Sequence, residues 1–573
     1  MARILQRRHG IEGEFMGRER TGLTRRELLI GSAAAGIAAT LDVSAPVALA
    51  QTAIGSNGAA EELWLVNGRI HTLDRSNTIA ATVSMKDGRF SSVGRGAPRR
   101  GAGVRVIDLK GRTAVPGIID DHNHIVLMGN RPGYHTPLEH AASIAEVQEL
   151  VAARVKSIPA GAWVTTIGGF HRNQLVGPSQ TPRLPTRAEL DAAAPGNPVY
   201  ISEGFVGPSV TNTPGKKVFE SQNPPIAVGD DGSIAMGPQG TGSATLMLRR
   251  TLLTAEQRKR GALDALNFGL SVGVTTHLDQ GAFQATNTPM DGAAHEDNYS
   301  MYLPFFALRR EGKLPARLRI NFLHQDTTSD LPTLTERLNN AFPFFGDDLI
   351  RTGGIGEFIS GFGADAVLVD AAKKVARAGW RAEVHSLSRT DFQQEVQAFE
   401  AAHAELSIAE LRWVIAHVPF ITEPWVNRLK ALGGGISLTS WRYLAGTPDQ
   451  NGPPFRMIVD NGIHVGLSSD GMQIAPMNPW IHMYYATTGL NARQVLINGG
   501  QQITRQEALK LYTGNNGWFL REEEQLGTIE AGKLADLVVL SDDYFTVPDD
   551  RVKKIRSVLT VVAGRIVHNE GVA

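Results

Sequence analysis

The stretch Val115-Pro116-Gly117-Ile118-Ile119-Asp120-Asp121-His122-Asn123-His124 decides the interpretation of this chain, because it places two histidines two positions apart at the end of an apolar run. Residues i and i+2 of a β-strand point to the same face, so both imidazoles are expected to project together. Two convergent imidazoles can hold a divalent metal ion. A pair of surface or capping histidines would give the same local pattern, so the interpretation depends on partners elsewhere in the chain.

The composition is that of a globular protein and limits the kinds of site the chain can build. Of 573 residues, 42% are hydrophobic and 20% are charged, which is enough for a large core. With 57 basic and 57 acidic residues the formal net charge is zero, so we expect no nucleic-acid partner. The chain has no cysteine, which excludes disulfides, cysteine-ligated zinc and cysteine nucleophiles. Any transition-metal site must therefore use histidines and carboxylates.

Residues 1–50 are predicted to be an export signal. Thr24-Arg25-Arg26-Glu27-Leu28-Leu29-Ile30 is a twin-arginine pattern, and it is followed by an Ala/Gly-rich apolar run and by Ala48-Leu49-Ala50, a small-X-small cleavage site. The apolar run is too short for a membrane span, so no stable membrane anchor is expected. The predicted partner is the twin-arginine export machinery and the predicted location is the periplasm or the medium. A cytoplasmic protein with an alanine-rich first helix is the alternative.

The remaining chain predicts an α/β fold with two parts. Short alternating strands in residues 51–115 and 516–573 predict one small β-sandwich built from both ends of the mature chain. Residues 116–515 alternate apolar strands with helical stretches, which is typical of a (β/α)8 TIM-like barrel. An insertion at about residues 130–260 is expected to overhang the mouth of that barrel. The eight predicted strands are 117–124, 273–279, 317–325, 354–360, 381–385, 412–417, 435–439 and 464–470.

Ligand-type side chains stand at the predicted ends of five of these strands. Because the carboxyl ends of barrel strands face one mouth, we expect them to converge there. Each alone could be a core histidine, a salt-bridge partner or a turn residue, but the ordered set predicts a centre for one or two divalent ions. Zinc is the expected ion, although such sites accept several metals. The six predicted metal ligands are His122, His124, Glu357, His385, His417 and Asp470.

This order of ligands resembles the amidohydrolase superfamily, and within it amidohydrolase family 3, the branch that contains N-substituted formamide deformylase. Residues 116–124 are similar to the "PGxxDxHxH" signature of the superfamily, and residues 466–479 to the strand and loop that carry its metal-binding aspartate. Residues 184–191 resemble a segment of the branch's insertion, and residues 527–540 resemble the superfamily's return to its β-rich domain. The resemblance extends over nearly the whole mature chain.

The resemblance implies a role for each ligand. His122 and His124 would bind the more buried ion, and His385 and His417 the more exposed one. Asp470 would contact the metal and act as the catalytic base that takes a proton from water. Many relatives bridge two metals with a carboxylated lysine on the fourth strand. This chain has no lysine there, and Glu357 is the nearest chemical substitute.

The implied function is an exported metal-dependent hydrolase that attacks non-peptide amide, formamide or cyclic amide bonds of a small molecule with metal-activated water. The same ligands would also serve ester cleavage, C–C bond cleavage or isomerisation, and a periplasmic binding protein could keep the site without turnover. The sequence leaves the substrate and the oligomeric state open. The predicted substrate-binding residues are His324, Trp441, His171 and His277.

Overall fold

A computed structural model describes residues 62–98, 101, 103–177, 179–204, 207–281, 300–361, 365–471 and 475–573. The predicted export signal lies outside these residues. No helix in the described ranges is both long and apolar enough to cross a membrane.

The described chain begins with seven short strands. Four of them form a sheet in the order β5-β4-β1-β6, in which β1 pairs antiparallel with β4 and parallel with β6. The seven strands are β1 (Glu62–Val66), β2 (Arg69–His71), β3 (Ile79–Ala80), β4 (Thr82–Lys86), β5 (Arg89–Gly94), β6 (Val104–Asp108) and β7 (Thr113–Pro116).

The strand that carries the paired histidines, β8 (Ile118–Asn123), is buried at every position and leads into α1 (Ile125–Gly129). The predicted insertion follows and forms its own five-stranded sheet, in the order β13-β12-β11-β10-β9. Its elements are β9 (Tyr134–His135), α2 (Ile144–Val155), β10 (Val164–Ile167), α3 (Arg187–Ala193), β11 (Val199–Ser202), β12 (Ser209–Thr211), α4 (Thr213–Glu220), β13 (Ser233–Ile234) and α5 (Ser243–Leu252). Local sequence explains where the helices start. Thr186, for example, caps α3 in a reciprocal capping box with Glu189.

Strands and helices alternate through the next part of the chain. All the paired strands in this part are parallel, and they form two four-stranded sheets in the orders β16-β15-β14-β8 and β17-β18-β19-β20. The elements are α6 (Ala255–Ser271), β14 (Val274–Asp279), α7 (Leu303–Arg310), β15 (Arg317–Phe322), α8 (Pro332–Asn340), β16 (Ile350–Ile355), α9 (Asp365–Arg377), β17 (Glu383–Ser386), α10 (Asp391–Glu405), β18 (Val414–His417), α11 (Glu423–Ala431), β19 (Gly435–Thr439), α12 (Arg442–Ala445), α13 (Phe455–Asn461), β20 (His464–Ser468) and α14 (Pro479–Thr488).

Backbone contacts join the two parallel sheets at both edges. A parallel bridge pairs Ile355, the last residue of β16, with Ala382, just before β17. At the other edge the Asp470 N–H, just after β20, donates to the His122 carbonyl of β8 at 2.9 Å. The carboxyl ends of all eight strands therefore lie on the same side.

The last elements of the described chain pair with strands from its beginning. The antiparallel pairing of β21 with β7 makes a six-stranded sheet in the order β23-β22-β21-β7-β2-β3. One buried apolar cluster includes residues of this sheet, such as Leu537 and Val561, together with residues of the first sheet, such as Leu63 and Val83. The elements are α15 (Arg505–Leu511), α16 (Asn516–Leu520), β21 (Leu537–Leu540), α17 (Asp549–Val552), β22 (Ser557–Val562) and β23 (Arg565–Asn569).

The fourth parallel strand differs from its prediction. It was expected at 354–360, but β16 spans Ile350–Ile355, so Glu357 follows the strand instead of lying inside it. The physical reason is that Arg351 and Thr352, which are not apolar, pair with β15 and extend the strand toward its start. A Cβ atom on Gly354 would lie 2.7 Å from the carbonyl oxygen of Arg381, so the neighbouring chain requires glycine here.

Candidate metal centre

Glu357 stands at the middle of the predicted ligand set. Its Oε2 atom lies 3.2 Å from His122 Nε2, 3.0 Å from His385 Nδ1 and 3.5 Å from His417 Nε2. Its Oε1 atom lies 3.3 Å from His124 Nε2. The structure thus brings four histidines from three different strand ends around one carboxylate.

Asp470 completes the cluster from the end of β20. Its Oδ1 atom lies 3.4 Å from His124 Nε2 and 3.8 Å from His122 Nε2, and its Oδ2 atom lies 4.0 Å from His417 Nδ1. Within the described chain the ligand atoms form two groups, each with all its atoms within 4.8 Å of one another. Both groups contain Glu357. The groups are His122, His124, Glu357 and Asp470, and Glu357, His385 and His417.

All of the cluster except the partly buried His385 is buried, and its charges compensate one another. Burial opposes ionisation of Glu357, but the neighbouring His385 and His124 outweigh it and hold the pKa of this carboxyl well below its usual range. Burial likewise opposes protonation of His122, yet Glu357 and Glu383 raise the pKa of that ring to about 10. The pKa of Asp470 is lowered, again against burial, by His417 and His124. The site therefore favours positive charge in the space between its carboxylates.

The donor set fits a divalent cation. His122 Nε2 is buried and makes no hydrogen bond among the described residues, although two carboxylates face it. Imidazole nitrogens and carboxylate oxygens are ligands for zinc and other first-row divalent ions. A cation in this space would satisfy the unpaired nitrogen and both carboxylates together.

Three contacts that the sequence interpretation missed orient the histidines. His122 Nδ1 lies 2.6 Å from Glu383 Oε1, His417 Nδ1 lies 3.0 Å from Thr439 Oγ1, and His124 Nδ1 lies 2.9 Å from the carbonyl oxygen of Gly281. Such contacts fix the ring and its tautomer, which leaves the other nitrogen to the metal. A signal for Glu383 was present, since it stands two positions before His385 in a buried strand and shares its face.

The segment that follows Asp470 is held by two further buried side chains. Glu139, from the insertion, accepts hydrogen bonds from the N–H groups of Met477 and Asn478 at 2.7 and 2.8 Å. His482 Nε2 lies 2.7 Å from the carbonyl oxygen of Pro476. The insertion therefore contacts the chain just beyond the aspartate of the cluster.

Two predicted substrate-binding residues lie around the cluster without touching the six ligands in any described contact. The backbone N–H of His324 donates to the Phe358 carbonyl, next to Glu357, and its ring contacts Thr333. Trp441 begins α12, two residues beyond Thr439, and stacks under the Arg442 guanidinium.

The other two predicted substrate-binding residues, His171 and His277, have different neighbours. The ring of His171 is partly exposed in the insertion, where its Nε2 atom lies 3.9 Å from Glu203 Oε2. His277 is fully buried on β14, next to Asn123 and close to Gly269 of α6. No described contact joins His277 to the cluster, and its ring faces Asn123 and Gly269 of α6 instead.

Comparison with known proteins identifies the family. A profile described as "Amidohydrolase family" matches residues 105–568 of this chain. The chain belongs to the amidohydrolase family. The sequence is 25% identical over 555 residues to N-substituted formamide deformylase of Arthrobacter pascens. That match covers 88% of this chain and 97% of the deformylase. It is also 21% identical over 560 residues to the putative amidohydrolase YtcJ of Bacillus subtilis (strain 168). That match covers 88% of this chain and 98% of YtcJ.

A solved structure has the same fold as this chain. An uncharacterized metal-dependent hydrolase from Pyrococcus furiosus superposes with a TM-score of 0.56 at 20% identity, over 85% of this chain and 100% of that chain. The predicted amidohydrolase-type α/β fold is confirmed at this level. The protein is a metal-dependent amidohydrolase, an enzyme that acts on C–N bonds other than peptide bonds.

Proposed function

We propose that this amidohydrolase is an exported enzyme that hydrolyses the formamide, amide or cyclic amide bond of a small molecule at the cluster around Glu357. The observation that carries the proposal is the convergence of four histidines and two carboxylates from five separate segments on one buried space. Export is supported by the twin-arginine pattern at residues 24–30 and by the cleavage pattern at 48–50.

The architecture proposed to carry this site is a (β/α)8 barrel with a terminal β-sandwich. The all-parallel pairing of eight strands supports the barrel, as do the bridge between Ile355 and Ala382 and the hydrogen bond from Asp470 to His122. The apolar cluster shared by the two terminal sheets supports the sandwich. In barrels of this kind the catalytic residues lie at the carboxyl ends of the strands, where all six ligands stand.

Two zinc ions are the proposed occupants, with Glu357 as the carboxylate that they share. His122, His124 and Asp470 would hold one ion, and His385 and His417 the other, because the two ligand groups have only Glu357 in common. Zinc suits this mixture of imidazole and carboxylate ligands. A carboxylate can bridge two ions without any modification, so Glu357 would serve where many relatives have a carboxylated lysine.

Divalent ions held here would acidify a water molecule and polarise the carbonyl oxygen of the substrate. Asp470 is the proposed general base. Its pKa is lowered by His417 and His124 against burial, so the carboxylate is ionised and able to accept a proton from water. The same carboxyl group can then return that proton to the leaving nitrogen. Five of the six side chains are buried and His385 is partly buried, which limits the contact of these groups with bulk water.

The experiment is a screen of N-formyl, N-acyl and cyclic amide compounds against zinc- and manganese-loaded enzyme, with Asp470→Asn as the test variant. We expect the wild type to release the acid and the amine, and Asp470→Asn to lower kcat by about 10²–10⁴-fold while still binding metal. Asp449→Asn, at an exposed position on a loop, is the matched control and should keep full activity. Equal activity of Asp470→Asn and wild type would exclude Asp470 as the base, and products of C–C cleavage or isomerisation would exclude the proposed reaction.

A further inference from the structure

We infer that Glu383, supported by Arg381, is the positioning residue that sets the orientation and tautomer of His122, and thereby the affinity of the deeper metal position. The inference rests on the proposed function, because it concerns how the chain prepares one of the proposed ligands for its metal.

Strand β17 supplies two layers of the site. His385 is at the level of the ligand cluster, and Glu383 is two residues earlier on the same strand. Since alternate strand residues share a face and rise by about 6.6 Å per pair, Glu383 lies one layer below the cluster. Arg381, two residues further back, continues the same alternation. One short segment thus contributes a ligand, a carboxylate beneath the ligands and a cation beneath that carboxylate.

The carboxylate of Glu383 is directed at His122 and at no other ligand of the cluster in any described contact. Its Oε1 atom is 2.6 Å from His122 Nδ1, and both side chains are fully buried. An ionised carboxylate can only accept a hydrogen bond, so Nδ1 must carry the proton that is shared between them. Nε2 of the same ring is then the nitrogen that offers its lone pair to a cation between Glu357 and Asp470.

Arg381 keeps Glu383 in the state that this role requires. Its Nη2 atom is 2.6 Å from Glu383 Oε2, again with both side chains buried. An arginine is charged at every relevant pH, so it compensates the buried carboxylate and occupies the oxygen that does not face His122. Asn321 Nδ2 approaches the same Oε2 atom at 3.5 Å. These two donors restrict rotation of the carboxyl group and fix the direction of Oε1.

On the ring nitrogen that faces away from Glu357, His124 and His417 each contact a neutral group, whereas His122 contacts a carboxylate there. His124 Nδ1 contacts the Gly281 carbonyl and His417 Nδ1 contacts the Thr439 hydroxyl. A carboxylate raises the basicity of the ring more than a carbonyl or hydroxyl oxygen does. Removal of the charge at Glu383 should therefore weaken the ion bound by His122 more than the ion bound by His385 and His417.

The test measures metal binding to the full-length protein, not activity alone. Wild type, Glu383→Gln and Glu383→Asp are stripped with a chelator and titrated with Co²⁺ and Zn²⁺ against a chromophoric competitor, and the visible spectrum of the Co²⁺ form is recorded at saturation. Glu395→Gln is the matched control, because Glu395 is also a buried carboxylic acid, on α10, but its carboxyl group faces Ser386 and not a ligand histidine.

We expect Glu383→Gln to lower the affinity of the tighter site by about 10–100-fold and to change the Co²⁺ spectrum, while the weaker site changes little. Glu383→Asp keeps the charge but is one methylene shorter, so it should also lose affinity and provides a second variant if Glu383→Gln does not fold. Glu395→Gln should match the wild type. Wild-type affinity and an unchanged Co²⁺ spectrum in a folded Glu383 variant would overturn the inference. A wild-type protein that binds neither ion would instead overturn the proposed function.

Discussion

At the scale of single residues, the six side chains of the cluster could be predicted from the sequence, whereas the residues that contact their rings could not. Histidines and acids at strand ends are visible as interruptions of apolar runs. Thr439 is a β-branched residue in a buried strand, where it needs no special explanation from sequence. Its contact with His417 depends on the neighbouring strands β18 and β19 lying side by side, and that is a tertiary fact.

Replacement of Thr439 by valine tests this contact. Thr439→Val keeps the shape of the side chain but removes the hydroxyl that meets His417 Nδ1 at 3.0 Å. We expect the affinity for Zn²⁺ to fall by about 10-fold, because the ring loses its orienting partner. Thr439→Ser keeps the hydroxyl and should stay close to wild type in the same chelator competition. Equal losses in both variants would show that packing, and not the hydrogen bond, matters here.

At the scale of elements, the predicted bounds agree with the structure for some strands and differ from it for the fourth parallel strand. The prediction of 435–439 coincides with β19 (Gly435–Thr439), and 412–417 differs from β18 (Val414–His417) only at its start. The fourth strand was expected to begin at Gly354, whereas β16 begins at Ile350, because Arg351 and Thr352 pair with β15 although neither is apolar. The helices of the insertion were not predicted individually.

The contact between the insertion and the segment after β20 is expected to depend on pH. Burial raises the pKa of Glu139 to about 8 from a usual value of 4.5, against the N–H groups of Met477 and Asn478 that lower it. Between these pH values the folded protein retains a proton that the unfolded chain has lost. The free energy of unfolding should therefore fall as pH rises from about 4.5 to about 8, and this contribution should change no further above pH 8.

The variant Glu139→Gln isolates this contribution. Glutamine does not titrate, so the decline in stability between pH 5 and pH 8 should become shallower, whatever the variant's stability at a single pH. Denaturant midpoints at four pH values measure the slope. Glu149→Gln, on the exposed face of α2, is the control and should keep the wild-type slope. An unchanged slope in Glu139→Gln would contradict the assignment of the proton to Glu139.

At the scale of the whole molecule, buried ion pairs connect the parallel strands to the last part of the chain. Arg317 of β15 makes two hydrogen bonds to Asp536 at 2.7 and 2.9 Å, just before β21. Arg319 and Arg351 both reach Glu522. Composition and alternation predicted that the chain ends belong together, and β21 does pair with β7. The sequence could not predict these ion pairs, because their partners are separated by more than 150 residues.

Removal of one partner of a buried ion pair should lower the free energy of unfolding. Arg317→Met leaves the Asp536 carboxylate buried without its cation, so we expect the free energy of unfolding to fall by about 3–5 kcal/mol. Arg309→Met breaks the exposed pair with Asp347 and should cost about 0–1 kcal/mol. Chemical denaturation of both variants gives the comparison. Similar costs for the two would mean that the buried pair does not hold the end of the chain in place.

The most direct measurement for the whole account is anomalous diffraction at the zinc absorption edge from crystals of the zinc-loaded protein. We expect strong anomalous peaks beside Glu357, within about 2.0–2.2 Å of the nearest donor atoms of His122, His124, His385, His417 and Asp470. An absence of anomalous density among these six side chains at full zinc loading, or an imidazole turned away with no neighbour in its place, would contradict it.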